Sequence, residues 1–177
     1  VRIIHGELSG RKPVIPKHLD ARPTTDLARG ALFNILLNRF EFSDLKVLDL
    51  FAGTGCISYE FASLGCTDIT SVERDRFHCE AIRKNIELLN IKGMRLVQTD
   101  VFRFIHKDIG PFDLVFADPP YDHRGMDQLP DLISKSGIVK PGGTFILEHG
   151  PEKEFGGSDG FSDCRTYGKV HFSFFSY

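Results

Sequence analysis

Short apolar runs alternate along the chain with longer stretches whose apolar residues recur at helical spacing. Val47 to Leu50 has the pattern of a buried strand, with one carboxylate, Asp49, near its C-terminal end. Asp68 to Glu73, Arg95 to Asp100 and Phe112 to Ala117 repeat the pattern, and Thr144 to Glu148 follows Pro141-Gly142-Gly143. Aromatic alternation from Val170 to Tyr177 predicts an antiparallel closing strand after a looser stretch rich in Gly, Ser and Asp. Between these runs, Leu27, Ala31, Leu32, Ile35 and Leu36 mark one helix, which Thr24 or Thr25 can cap. Gly30 lies inside it and costs it about 1 kcal/mol relative to alanine. Ile57 to Leu64 reads as a second helix, ended by Gly65. Asp75 to Leu89 is a third, with Phe77, Ile82, Ile86 and Leu89 on one side, and a fourth runs from Met126 to Ser134.

Strands alternating with helices predict a parallel sheet covered on both faces, with chemistry gathered where the strands end. Arg2-Ile3-Ile4 and Lys12 to Pro16 flank Gly6 and Gly10, which predicts a short hairpin or arm. Its prolines demote the second half to an edge strand. The expected organisation is one domain over residues 1–177, with a basic arm (1–22) ahead of an α/β body (23–177).

Composition narrows the class without naming it. A chain with 41% apolar and 26% charged residues can bury an ordinary core. No apolar run approaches membrane-spanning length and no leader opens the chain, so a cytoplasmic protein is expected; Val1 in place of Met fits a trimmed start. The four cysteines (Cys56, Cys66, Cys79, Cys164) are scattered and the seven histidines form no ligand-spaced set, so neither a disulfide framework nor a metal is expected. The net charge of −2 hides an asymmetry. Residues 1–40 hold seven Lys/Arg against three acids, or +4, which leaves −6 for the rest. Either the first segment meets phosphates or it is a solvated surface.

The chemistry starts at Asp49-Leu50-Phe51-Ala52-Gly53-Thr54-Gly55. A strand, a glycine turn and a helix form the arrangement in which open α/β sheets hold nucleotide-like ligands, because glycines let backbone N–H groups approach closely. Asp49 ahead of the turn would repel a phosphate, and no Lys-Ser/Thr follows Gly55, so a P-loop is excluded. A carboxylate there suits a ligand with a positive group, such as the amino-acid end of S-adenosylmethionine. Glu73 follows about two dozen residues later, near the offset at which an acid takes up ribose hydroxyls; a helix cap is the alternative. Asp100, followed by apolar Val101 and Phe102, suits an adenine amine with its ring covered, or equally a second cap. Asp118-Pro119-Pro120-Tyr121 is the most specific signal. Two prolines fix the backbone and remove two donors, so the Asp118 carboxylate and the Pro119 carbonyl remain as acceptors. Such a cluster grips the hydrogens of an exocyclic base amine, localises the nitrogen lone pair and stabilises charge appearing on it. Tyr121 offers a face on which a flipped base can stack.

These residues carry a resemblance. The order D-L-F-A-G-T-G, Glu73, Asp100, D-P-P-Y resembles class I S-adenosylmethionine-dependent methyltransferases that modify exocyclic amines. Arg2-Ile3-Ile4, Gly10-Arg11-Lys12, Arg22-Pro23-Thr24-Thr25-Asp26 and Leu32-Phe33-Asn34-Ile35-Leu36 resemble, more narrowly, the bacterial small-subunit (16S) ribosomal RNA guanine-N2 methyltransferases, over essentially the whole chain. The resemblance implies a Rossmann-like, seven-stranded, mostly parallel sheet with an antiparallel C-terminal strand and a short N-terminal hairpin. It places Asp118, Pro119, Pro120 and Tyr121 around the target guanine. It assigns cofactor contacts to Asp49, Phe51, Gly53, Thr54, Gly55, Glu73, Arg74, Asp100, Val101, Thr24 and Thr25, and RNA contacts to Arg11, Lys12, Arg22 and Tyr121. Two departures stand out: Glu7-Leu8-Ser9 replaces a basic and aromatic hairpin, and Gly30 replaces an acid. The expected protein is a monomer that methylates ribosomal RNA without a metal. An adenine-N6 DNA methyltransferase and a non-catalytic assembly factor are the alternatives. An NAD oxidoreductase is remote, because Ser58 stands where the full glycine motif needs its third glycine.

Overall fold

Val47, Leu48 and Leu50 are apolar and fully buried, the condition of a central strand with both faces covered. In a computed structural model, which describes residues 1–16, 25–107, 110–120, 123 and 125–177, they lie on β1 (Lys46–Leu50). Six further strands join it: β2 (Asp68–Glu73), β3 (Met94–Gln98), β4 (Phe112–Ala117), β5 (Val139–His149), β6 (Phe161–Tyr167) and β7 (Val170–Ser176). The sheet order is β3-β2-β1-β4-β5-β7-β6. The first five pair in parallel, while β7 runs antiparallel to both β5 and β6. This is the seven-stranded, mostly parallel sheet that the resemblance implied.

Helices cover both faces. Leu48, Leu50, Val115 and Phe145 meet α4 (Val101–Ile105) and α5 (Leu129–Ser136), while Val47, Phe116 and Ile146 meet α1 (Asp26–Leu37) and α2 (Cys56–Ser63). α3 (Arg76–Leu88) links β2 to β3. The connection from β1 leads to β2 on one side, and β4 lies on the other. The strand order therefore reverses at β1/β4, and a crevice opens beyond their C-terminal ends.

Four local expectations are corrected. Pro141-Gly142-Gly143 does not precede β5 but is absorbed within it, with a register shift between Phe112 and Leu114 on β4 and Gly142 at φ 80°. The stretch rich in Gly, Ser and Asp contains β6, an edge strand whose exposed face takes polar residues. α4 is too short to show a period. On the helices, Leu27 (77% exposed) and Phe77 (55% exposed) face solvent, although both fit the apolar pattern.

The N-terminal segment is a docked turn. Ile3 N–H donates to Arg11 O (2.9 Å) and Gly10 N–H to Ile3 O (2.9 Å), but no strand forms among residues 1–16. The expected edge strand is absent there because Val14 pairs with a side chain in place of a neighbouring strand. The buried Asn85 amide of α3 accepts from Val14 N–H (2.8 Å) and donates to Val14 O (3.1 Å). Glu60 of α2, wholly buried, accepts from Ile4 N–H (2.8 Å), His5 N–H (3.1 Å) and the Arg29 guanidinium (3.0 Å). Arg29 also donates to Arg2 O (2.6 Å) and Asp26 (2.9 Å). Fully buried and ion-paired, it is subtracted from the basic surface that the charge count had assigned to this segment.

Thr25 caps α1, accepting from Ala28 N–H at 3.2 Å. A Cβ on Gly30 would lie 3.6 Å from Ile4 Cδ1, an ordinary contact. Gly30→Ala is therefore expected to stabilise the protein by about 1 kcal/mol in urea unfolding.

Candidate active site

The glycine turn is built by backbone conformation. Phe51 (φ 61°), Gly53 (φ 54°) and Gly55 (φ 84°) all take positive φ, and Gly55 caps α2. At Phe51 that conformation is strained for a residue with a side chain, and such strain gathers at ligand sites. A Cβ at Gly55 would meet Tyr59 Cζ and Oη at 2.6 Å, and the Tyr59 ring is fully buried. Gly55→Ala is thus doubly opposed, by φ and by overlap. It is expected to weaken cofactor binding at least about tenfold and cost about 1–3 kcal/mol of stability, read by calorimetry and urea unfolding. Thr54 is buried beside Cys56 Sγ at 3.1 Å.

Two acids underlie this turn in different ways. Glu73 Oε2 accepts from Gly53 N–H (2.8 Å), and Oε1 from the backbone N–H groups of Arg74 (2.8 Å) and Asp75 (2.7 Å). The helix cap that competed for Glu73 falls to Asp75, which accepts from His78 N–H. Arg74 itself is exposed. Asp49 is 1% exposed and lies beneath the turn, accepting from Ser58 Oγ at 2.5 Å, with Ser71 Oγ 2.6 Å beyond. Burial, with Glu73 adding to it against the Ser58 bond, pushes the Asp49 carboxyl up to about 7. Its contribution to folding is therefore fullest below the ordinary carboxylate range and is lost as pH rises through about 7. A positive ligand group over the turn would reverse that cost by favouring the ionised form. Cofactor affinity is then expected to rise about tenfold between about pH 6 and about pH 8, and to lose that dependence in Asp49→Asn, as measured by titration calorimetry. Ser58 and Ser71 were not foreseen from the sequence as partners of Asp49; their signal was a polar residue at a buried position of each element.

Asp100 caps α4, accepting from Arg103 N–H at 3.2 Å, as one of its two readings required. Val101 turns into the core (4% exposed), so the flanking apolar group facing outward is Phe102. Phe102 stacks on His123 (5.3 Å, 21°), and both meet Phe51 edge-on, at 6.5 and 5.7 Å. The three rings form one aromatic cluster drawn from the glycine turn, α4 and the segment after β4. His123 carried no sequence signal. Its position is set by its own N–H donating to Pro120 O (2.8 Å) and its Nδ1 accepting from Gly125 N–H (3.1 Å).

Register fixes the remaining geometry. Leu50 pairs with Val72 and with Ala117, so Glu73, Phe51 and Asp118 stand one residue beyond, level across three neighbouring strands. At about 4.8 Å per strand, the Glu73 and Asp118 backbones lie about 10 Å apart with the glycine turn between them. Asp118 is half-buried, Pro119 buried and Pro120 exposed. Arg11 and Lys12 are exposed on the docked turn. Arg22, Thr24 and Tyr121 lie outside the described residues.

The family described as conserved hypothetical protein 95 matches residues 1–176. The ribosomal RNA small subunit methyltransferase D of Escherichia coli K12 is 33% identical over 137 residues, covering 77% of this chain and 68% of that one. Among solved structures, a hypothetical protein of Thermus thermophilus superposes with a TM-score of 0.88 at 28% identity, over 100% of this chain and 99% of its own. A 16S rRNA N2 methyltransferase of T. thermophilus, described in complex with AdoMet and guanosine, shares the fold (TM-score 0.72, 20% identity, 89% of this chain and 44% of that one). The chain therefore belongs to the conserved hypothetical protein 95 family, together with the small-subunit ribosomal RNA methyltransferase D proteins.

Proposed function

We propose that this protein transfers a methyl group from S-adenosylmethionine to the exocyclic N2 amine of one guanine in small-subunit ribosomal RNA. The observation that carries the reading is the level placement of Asp118 and the glycine turn on adjacent strands at the switch point of the sheet. Support comes also from the relative named for small-subunit ribosomal RNA, and from the fold neighbour described with AdoMet and guanosine.

The residues fit the cofactor. Gly53 and Gly55 leave its path open. Glu73, whose carboxylate already holds the Gly53, Arg74 and Asp75 N–H groups, would take the ribose diol with its remaining lone pairs. The buried Asp49 carboxyl would ionise beneath a positive group. The Phe51, Phe102 and His123 rings would form a wall for its adenine or for the target base, and Asp100, which caps α4, would take the adenine amine with its remaining lone pairs. Thr25 at the start of α1, with Thr24 before it, completes the proposed cofactor side. When bound, the cofactor supplies a sulfonium-activated methyl group. The protein's part is alignment: the Asp118 carboxylate and Pro119 carbonyl take the amine hydrogens, turn the nitrogen lone pair toward the methyl carbon and offset charge developing on nitrogen. The surplus proton leaves to Asp118 or to solvent, so no strong base has to act first. Pro120 holds the corner rigid, Tyr121 stacks on the base, and Arg11, Lys12 and Arg22 meet RNA phosphates. Among the described residues no helix is long and apolar enough to cross a membrane. The working form is a monomer in the cytoplasm.

Incubation with labelled cofactor and, separately, duplex DNA, naked ribosomal RNA and small-subunit particles tests this. Label on guanine in RNA or particles is expected. Label on DNA adenine would instead establish the N6 reading, and no transfer to any substrate would point to a non-catalytic binder.

A further inference from the structure

The sheet brings together three side chains that the linear sequence leaves far apart. His149 ends β5 and pairs directly with His171 on β7, so both side chains share one face. Cys164 on β6 pairs with Ser173, two residues along β7 on that same face. One ligand atom from each of His149, Cys164 and His171 lies within 4.8 Å of the other two. We propose that these three side chains bind one zinc-class transition-metal ion, clipping the edge strand β6 to β5 across β7.

Two imidazoles and a thiolate form a borderline-soft donor set suited to such an ion. His149 is buried, and its Nδ1 donates to Gly150 O at 2.9 Å, which leaves the Nε2 lone pair on the other side of the ring. Holding one ring nitrogen by a carbonyl is how metal-ligating histidines are oriented. Nε2 accepts from Ser173 Oγ at 2.8 Å, so an ion takes that lone pair only once the Ser173 side chain turns to another χ1 rotamer. Phe155 packs edge-on against the same ring (4.9 Å) and shields it. Bond lengths of about 2.0–2.3 Å at a tetrahedral ion require ligand separations of roughly 3.3–3.8 Å, within reach of small side-chain rotations. Cys164 is exposed and His171 half-buried, so ions enter from solvent, the thiol proton leaves there, and water fills the fourth position. The site lies at the far end of the sheet order from β3, and the proposed methyl transfer makes no use of it.

Titration of the metal-free protein with cobalt(II) tests the site. One ion per chain is expected, with tetrahedral d–d absorption and a near-ultraviolet thiolate-to-cobalt band, both abolished by zinc(II). Cys164→Ser should remove the thiolate band. His171→Asn should weaken binding at least about tenfold while far-ultraviolet circular dichroism stays unchanged. Zinc(II) should raise the thermal midpoint of the wild type and leave that of His171→Asn unmoved. Absence of the thiolate band in the wild type, or binding undiminished in either variant, would overturn the proposal. Because none of these readouts involves methyl transfer, they stand apart from the functional assignment.

Discussion

Asp118→Ala is expected to lower methyl transfer at least about 10²-fold while cofactor affinity changes less than about threefold. The asymmetry follows from where the groups sit. In the proposed assignment the cofactor lies over Glu73 and the glycine turn, at the ends of β2 and β1, whereas Asp118 leaves the sheet one strand to the other side. Removing its carboxylate deletes an acceptor for the amine hydrogens and a negative charge beside nitrogen as that atom becomes positive. Both contributions grow toward the transition state, so the loss should appear in kcat more than in KM. Asp118→Asn keeps an acceptor without the charge and should fall between alanine and wild type. Single-turnover transfer combined with cofactor-binding calorimetry separates the two effects. Turnover retained by Asp118→Ala would remove the residue from its role.

Glu60→Ala is expected to destabilise the protein by about 3–5 kcal/mol, a large share of the roughly 5–15 kcal/mol that holds a typical domain. The Glu60 carboxylate is the common acceptor for Arg29 and for two backbone N–H groups of the N-terminal segment. Without it, the fully buried guanidinium loses an ionic partner in a place water does not reach, while its bonds to Asp26 and the Arg2 carbonyl stay. The backbone N–H groups of Ile4 and His5 lose their acceptor in the same step, so the segment bearing Arg11 and Lys12 should loosen. Urea unfolding gives the loss, and limited proteolysis should show earlier cleavage within the first residues. A midpoint close to wild type would mean that the segment is held by its other contacts: Val14 on Asn85, Glu7 and Leu8 on Ser63, and Ile3 on Tyr59 and Leu89.

The parts of the site that were legible in the sequence are those with a local backbone cause. Gly53 and Gly55 declare positive φ, and Asp118-Pro119-Pro120 declares a rigid, donor-poor corner. Acids at the ends of β-runs mark the edge of the sheet on which ligands collect. Features made by tertiary proximity were not legible. Ser58 and Ser71 become partners of Asp49 only once α2 lies on the sheet, and Phe102 and His123 stack only once α4 and the segment after β4 converge. The same holds for Glu60 with Arg29, and for His149, Cys164 and His171, which three different strands bring together. On the fold side, β6 was hidden because an edge strand tolerates the polar residues that read as a loop. Leu27 and Phe77 mislead in the opposite direction, since a helical period identifies a face but not where that face stops being covered.

Nuclease digestion and mass analysis of small-subunit ribosomal RNA from cells lacking this protein, and from the same cells carrying the wild-type gene or its Asp118→Ala form, puts the central claim to its most direct test. The account predicts that one N2-methylguanine disappears on deletion, returns with the wild-type gene and stays absent with the Asp118 variant. An unchanged set of methylated guanines in the deletion strain, or full restoration by the variant, would contradict it.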